Sequence, residues 1–221
     1  MLVSTPSRLP RHWRMMQRRF FAKPPEIVAP LLLGKLLARR TAAGWLAGRI
    51  VEVEAYLGPH ITETPDAAAH SFRGITPRNR VMFGPPGHAY VYFIYGMYYC
   101  VNVTCEPEGM AGCILIRALE PVLGLDAMAH HRGLQGNVPV AKLTAGPGRL
   151  CQALEITRPE HNGLDLLDSK SPLQLRDDGS EAGAIDVTPR IGIRHAAELP
   201  LRFAVADHAC VSGLRRRGGT V

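Results

Sequence analysis

Residues Met82–Asn102 read MFGPPGHAYVYFIYGMYYCVN and contain five of the six tyrosines of the chain. A Gly-Pro-Pro-Gly corner at Gly84–Gly87 ends whatever element precedes it. Two runs rich in aromatic and β-branched residues follow, Ala89–Tyr95 and Tyr98–Cys105, separated by a Gly-Met pair, and such runs around a glycine predict a β-hairpin. The composition alone favours a hairpin of the core. A buried tyrosine, however, needs a partner for its hydroxyl, so a functional cluster is the second interpretation.

The composition indicates a folded, basic protein. The 221 residues suffice for one well-cored domain, and 46% of them are hydrophobic, which excludes a disordered chain. No apolar run is long enough to span a membrane. The net charge of +7 leaves two interpretations open, an anionic partner or a merely basic protein. Five cysteines without a Cys-x-x-Cys pair argue against a disulfide framework and indicate a reducing compartment.

Both ends of the chain are rich in arginine. Residues 1–19 hold five arginines and no acidic residue, and they lack the apolar core of a secretory signal. We predict a disordered basic arm there, with an organelle transit peptide as the alternative. Arg215–Arg217 predict a basic tail within residues 211–221. No repeat or linker divides residues 20–210, which we assign to one domain.

Two carboxylates lie close together in Arg49–Tyr56, whose sequence is RIVEVEAY. Alternation along a strand places its valines and its alanine on one face, and Glu52, Glu54 and Ile50 on the other. The carboxylates could form the wet face of an antiparallel sheet. Two acidic residues beside an isoleucine and a tyrosine are nevertheless unusual on a strand, so a site is the alternative.

Three further segments carry residues that could serve a site. Ala111–Ala118 is an apolar strand that ends near Arg117, which either snorkels at the strand end or pairs with a carboxylate of the sheet. His70 follows a loop-like stretch, where a histidine is more often a hydrogen-bonding group than a catalyst. A Gly-Pro-Gly in Leu143–Leu154 precedes a predicted helix, where free amides could bind a phosphate or simply cap the helix.

These segments together predict an α+β fold: a single compact domain with a mixed, mostly antiparallel sheet, peripheral helices and a protruding β-hairpin. We expect no metal, because the spacings of His60, His70, His88 and the cysteines match no pattern of metal ligands.

Six motifs occur in the same order as in the alkyladenine (3-methyladenine, methylpurine) DNA glycosylases, and the chain resembles that family from about Phe20 to Val205. The motifs are RIVEVEAYLGP, DAAAHS, TPRNRVMFGPPGHAYVYFIYGMYYCVN, ILIRALEP, LTAGPGRLCQAL and PRIGIRH. The resemblance implies a monomeric, monofunctional DNA repair enzyme that needs no metal or cofactor. It would flip alkylated or deaminated purines out of double-stranded DNA and hydrolyse them off, leaving an abasic site. It would act in the bacterial cytoplasm, at the nucleoid, or in a eukaryotic nucleus.

The resemblance also implies which residues perform the hydrolysis. Glu54 corresponds to the general base that activates the attacking water. Arg117 resembles the residue that holds this water and the carboxylate, and the main-chain carbonyl of Ile191 matches the third support of the water. Glu52 then has a structural role. Tyr95 resembles the aromatic wedge that replaces the flipped nucleotide in the duplex.

Other residues match the pocket for the extruded base. Tyr56, His70 and Tyr92 correspond to the pocket walls that sandwich the base, and electron-rich rings favour a cationic purine. Asn102 matches the asparagine that excludes guanine by a clash with its exocyclic amine. Met97 corresponds to a contact beside the wedge.

Two features limit what the resemblance implies. His60–Pro65 resembles a short insertion relative to the family, and a shift of His70 would weaken its role in the pocket. The aromatic hairpin and the basic charge would also suit a non-catalytic nucleic-acid-binding module. Glu54 and Arg117 separate the two hypotheses, because a pure binding module has little reason to hold a carboxylate there.

Overall fold

Nine strands form the sheet of this protein, which a computed structural model describes for residues 5–61 and 63–213. The strands are β1 (Arg14–Met15), β2 (Leu36–Thr41), β3 (Gly44–Tyr56), β4 (Ala89–Ile94), β5 (Tyr98–Cys105), β6 (Gly112–Leu123), β7 (Leu173–Asp177), β8 (Ile185–Thr188) and β9 (Arg202–Val205). The main path runs β1-β7-β2-β3-β6-β5-β4, and β9 pairs with both β3 and β8. The α+β fold is confirmed. A mixed sheet is not, because every strand pair in the described residues is antiparallel.

Short helices surround the sheet. They are α1 (Arg18–Phe21), α2 (Pro25–Leu32), α3 (Leu125–His131), α4 (Ala141–Thr144), α5 (Pro147–Ala153), α6 (Arg158–His161) and a 3₁₀ turn at Arg80–Phe83. The main core packs residues of α2, α3 and α5 against β3, β5 and β6. All five cysteines are buried free thiols. Within residues 5–61 and 63–213, no helix has both the length and the apolar character to cross a membrane.

The arginine-rich start of the chain packs on the domain from Thr5 onward. The Thr5 hydroxyl donates to the carbonyl of Ala43, and β1 pairs with β7. Trp13 is buried in a small cluster with Leu36 and Trp45. The prediction of a disordered arm is therefore wrong for residues 5–19, because buried apolar side chains offset the entropic cost of ordering them. Arg215–Arg217, predicted as a basic tail, lie outside the described residues.

Two irregularities break the regular alternation predicted for β3. The pairing of β3 with β6 shifts register on both sides of Glu52. As a result Ile50 joins the main core together with Val53, whereas Val51 packs with Ala118 in a separate cluster. The prediction that the valines share one face, with Ile50 on the other, is thus wrong. Bulges of this kind re-aim side chains and are frequent beside active sites.

The predicted hairpin is present as β4 and β5, joined by a tight turn. The Met97 amide donates to the Ile94 carbonyl at 3.3 Å, and the residues between them, Tyr95 and Gly96, have φ of +54° and +69°. Tyr95 therefore lies in the turn at the hairpin tip, one residue beyond the end of β4. A left-handed non-glycine residue costs about 1–3 kcal/mol. The turn leaves the Tyr95 side chain 77% exposed at the hairpin tip, next to exposed Met97.

Candidate active site

The two carboxylates of β3 are fully buried, which excludes the wet-face interpretation. Glu52 accepts hydrogen bonds from Arg117 Nε at 2.9 Å and from Arg202 Nε at 2.7 Å. The backbone amide and the hydroxyl of Ser212 donate to it at 2.7 and 2.9 Å. Burial raises the pKa of Glu52, but the charge of Arg117 and the hydrogen bonds from Ser212 and Arg202 outweigh it, so the pKa is lowered. Four donor contacts hold Glu52, three of them at Oε1 and one at Oε2, as suits a structural role.

Glu54 has fewer partners than Glu52. Its Oε1 accepts from the Ile191 amide at 2.8 Å and lies 3.1 Å from Arg117 Nη1. Its Oε2 accepts from the Tyr56 hydroxyl at 2.9 Å. A carboxylate oxygen can accept two hydrogen bonds, so Oε2 keeps capacity for one more donor. The amide of Ile191 thus contacts Glu54, and the role of its carbonyl as a support of the water stays a prediction.

Arg117 contacts both carboxylates, Glu52 and Glu54. It lies in β6 between Ile116 and Ala118, where the pairing with β3 shifts register. Burial lowers the pKa of its guanidinium, but the charges of Glu54 and Glu52 outweigh burial, so the pKa is raised. Because the guanidinium of Arg117 is permanently charged and contacts both carboxylates, it holds Glu52 and Glu54 in place. The pairing with a carboxylate, one of the two interpretations of Arg117, is the one observed.

A cavity of about 510 Å³ lies in front of this group. Tyr56, Arg117 and Ile191 form part of its wall, whereas Glu54 lies behind them. The hairpin supplies Tyr92, and the start of α5 closes another side. A Cβ at Gly148 would come within 2.9 Å of the Tyr98 ring, so the Gly-Pro-Gly turn permits this close approach of α5.

A second cavity of about 260 Å³ adjoins the first, and Tyr56 and Tyr92 line both. His70 lines the smaller cavity, and its Nδ1 lies 2.9 Å from the Tyr90 hydroxyl. The rings of His70 and Tyr92 meet edge to face, with centroids 4.6 Å apart at 76°. No base fits between these two rings as they stand, and a sandwich of the base with Tyr56 as the opposite wall stays a prediction. Burial, and next the charge of Arg78, lowers the pKa of His70.

Asn102 is buried in the wall of the smaller cavity. Its Nδ2 donates to the Tyr90 carbonyl at 2.9 Å, and the Cys113 thiol lies 3.9 Å from its Oδ1. These contacts fix the amide group in the cavity wall. A fixed amide can reject a purine edge by a steric clash, because it cannot turn away from the edge.

The predicted insertion leaves His70 beside the hairpin. His60 Nε2 lies 3.0 Å from Glu106 Oε1, which anchors the start of the insertion, while Thr62 is outside the described residues. In the parts of the chain that are described, no three His, Cys, Asp or Glu side chains are grouped so that they could hold a metal ion.

Comparison with known proteins identifies a family for this chain. The family model of Methylpurine-DNA glycosylase matches residues 19–209. The chain belongs to this family. A protein of Koribacter versatilis (strain Ellin345) is 52% identical over 90% of this chain and 94% of its own length. One of Methanoculleus marisnigri is 49% identical over 87% and 96%. Both are named "Putative 3-methyladenine DNA glycosylase".

The range matched by the methylpurine-DNA glycosylase family lies close to the domain that we assigned to residues 20–210. Ser212 lies just beyond that range, yet it supplies two of the donors to Glu52. We assigned this residue to a basic tail. The sequence gives no signal for its role, because a serine becomes a ligand of a carboxylate only through a contact that spans 160 positions.

This methylpurine-DNA glycosylase family member also has a buried ion pair that sequence analysis missed. Arg190 donates from both terminal nitrogens to Asp66 at 2.7 Å, and both side chains are fully buried. The guanidinium lies 4.6 Å over the ring of Tyr56, and Asp66 also accepts from the Leu57 amide at 3.0 Å. The pair thus joins the end of β3 to the segment that carries Ile191.

Proposed function

We propose that this protein is a monofunctional DNA repair glycosylase that hydrolyses the N-glycosyl bond of alkylated or deaminated purines in duplex DNA. The observation that carries the proposal is the pairing of Arg117, in the wall of an aromatic cavity, with Glu54 behind that wall. Membership of the methylpurine-DNA glycosylase family and the names of the relatives support it. The substrate class suggested by those names is 3-methyladenine.

In the proposed reaction, a water molecule in the larger cavity contacts Arg117, and a shift of Tyr56 opens the free acceptor position of the buried Glu54 Oε2 to it. Its oxygen bonds to C1′ of the deoxyribose while the bond from C1′ to the base nitrogen breaks. The electron pair of that bond leaves with the base, and the proton of the water passes to Glu54. The products are a free purine and an abasic site, with no covalent intermediate on the protein.

One carboxylate is enough for this reaction. Glycosidases that cleave sugars use a second carboxylic acid to protonate a poor leaving group. Glu52 is not suited to that task, because four donor contacts occupy it and its pKa is lowered. A cationic alkylpurine leaves without prior protonation, so the arrangement fits this class of substrate.

The smaller cavity is the proposed seat of the flipped purine. Tyr56, Tyr92 and His70 offer aromatic surfaces, and Asn102 offers a fixed amide. Flipping breaks stacking at a cost of a few kcal/mol, which damaged bases reduce because they pair poorly. Tyr95 at the hairpin tip is the proposed wedge that fills the vacated place.

Tyr95→Ala should lower single-turnover excision from duplex DNA by about tenfold to a hundredfold, since stacking of one aromatic ring is worth about 1–3 kcal/mol. Alanine occupies the same left-handed turn, so the strain of the backbone is nearly unchanged. The same lesion in a single strand should be excised at close to the wild-type rate, and Tyr95→Phe should behave like wild type. An equal loss on single-stranded and duplex substrates would exclude the wedge role.

The proposal as a whole is tested with a panel of duplexes that contain 3-methyladenine, hypoxanthine or ethenoadenine, scored for abasic sites by alkaline cleavage. We expect strand cleavage only after alkali, because the proposed activity has no lyase step. Tight binding of damaged duplexes without release of any base would favour the non-catalytic binding module instead.

A further inference from the structure

Arg78 is the one permanently charged side chain among the described residues that line the smaller cavity. His70, the other basic residue in that wall, has its pKa lowered by burial and by Arg78, which favours its neutral form. The remaining wall consists of aromatic, apolar, thiol and amide groups. Arg78 is therefore the permanent charge in the wall that an occupant of the cavity meets directly.

The guanidinium of Arg78 lies over the ring of Tyr92, 5.7 Å from its centroid. The guanidinium therefore occupies a face of Tyr92 that would otherwise attract a cationic base. In residues 5–61 and 63–213, no carboxylate lies within ion-pair distance of Arg78. Its charge is thus not neutralised by a neighbouring side chain.

The loop before Arg78 is fastened to the cavity wall by the next residue, Asn79, which is buried. Asn79 Nδ2 donates to the carbonyl of His70 at 2.8 Å and to that of Gly74 at 3.0 Å. Its Oδ1 accepts from the Thr76 amide at 2.6 Å. These bonds hold the backbone of Arg78 next to His70, so its side chain starts from a fixed point at the cavity wall.

We infer that Arg78 selects purines by charge, disfavouring cationic bases relative to neutral ones in the smaller cavity. The inference rests on the proposed glycosylase function. Electron-rich rings alone would favour cationic alkylpurines, whereas a like charge in the wall opposes them. Solvent screens part of this repulsion, because the Arg78 side chain is exposed. The balance of the two effects lets neutral lesions such as hypoxanthine compete with 3-methyladenine.

The test compares Arg78→Met with Arg78→Lys, which keeps the charge on a similar stem. Single-turnover rates are measured on methylated duplex DNA that releases 3-methyladenine and on duplexes with hypoxanthine. We expect the ratio of cationic to neutral excision to rise about tenfold in Arg78→Met and to stay near the wild-type value in Arg78→Lys. An NMR titration should also show the pKa of His70 rising in Arg78→Met, because a nearby positive charge lowers it.

Three results would overturn the inference. In the first, Arg78→Met leaves the excision ratio unchanged. In the second, it weakens binding to damaged and undamaged duplexes equally, which would make Arg78 a contact to the phosphate backbone. In the third, the pKa of His70 does not rise. If the wild-type protein releases no base from any duplex, the proposed function itself fails and this inference fails with it. If the enzyme is active but Arg78→Met leaves the ratio of cationic to neutral excision unchanged, only this inference fails and the proposed function stands.

Discussion

Replacing Glu54 with glutamine should slow base release by about 10²–10⁴-fold, the usual contribution of a general base. Glutamine has nearly the same shape, so the cavity wall of Tyr56, Arg117 and Ile191 should persist, but the amide cannot take a proton from water. Binding to lesion-containing duplexes should change only a few fold, since Glu54 lies behind the cavity wall. Single-turnover abasic-site formation and fluorescence anisotropy measure the two quantities.

The matched control for this experiment is Glu52→Gln, a change to the other carboxylate that contacts Arg117. Glu52 is held by four donor contacts, so this variant should mainly lose stability, by about 3–5 kcal/mol, the cost of removing one partner of a buried charged group. Its rate per folded molecule should fall less than that of Glu54→Gln. Turnover near the wild-type level in Glu54→Gln would refute the assignment of the general base.

Arg190→Met should lower the free energy of unfolding by about 3–5 kcal/mol, because it leaves the fully buried carboxylate of Asp66 without its bidentate partner. Excision should fall as well, since the guanidinium supports Tyr56 from 4.6 Å and precedes Ile191 directly in the chain. Denaturant midpoints at constant slope give the change in stability. The double variant Asp66→Asn/Arg190→Met should lose less than the sum of the two single variants.

An exposed ion pair supplies the control for that measurement. Arg18 pairs with Asp165 at 2.5 Å, but the two side chains are 43% and 31% exposed. Arg18→Met should therefore cost only about 0–1 kcal/mol. If Arg190→Met costs no more than this control, the buried pair does not have the structural role that its geometry indicates.

The hairpin and its neighbours could be predicted because local patterns determine them. The aromatic runs on either side of Gly96 predict β4 and β5 closely, and β4 ends one residue before the predicted run, at Ile94. The alternation in β3 predicted the faces of Ile50 and Val51 wrongly, because two register shifts beside Glu52 redirect these side chains. Such shifts depend on the partner strand, and the sequence of β3 alone contains no signal for them.

Contacts between distant parts of the chain were beyond sequence patterns. Asp66 and Arg190 are 124 positions apart, and neither has a local signal that identifies the other. The arginines of residues 1–19 indicated a disordered arm, whereas the segment is ordered by the burial of Trp13. For Glu54 and Arg117 the alternation left two interpretations, and the family resemblance rather than the pattern favoured their pairing.

The two hydrogen bonds that Ser212 donates to Glu52 can form only late in the synthesis of the protein. The ribosome makes β3 160 positions before it makes Ser212. Until that residue emerges, Glu52 lacks two of its donors, and Arg117 lacks a neighbour in its final position. We expect the carboxylate–arginine group to be held less firmly until Ser212 has folded back onto β3.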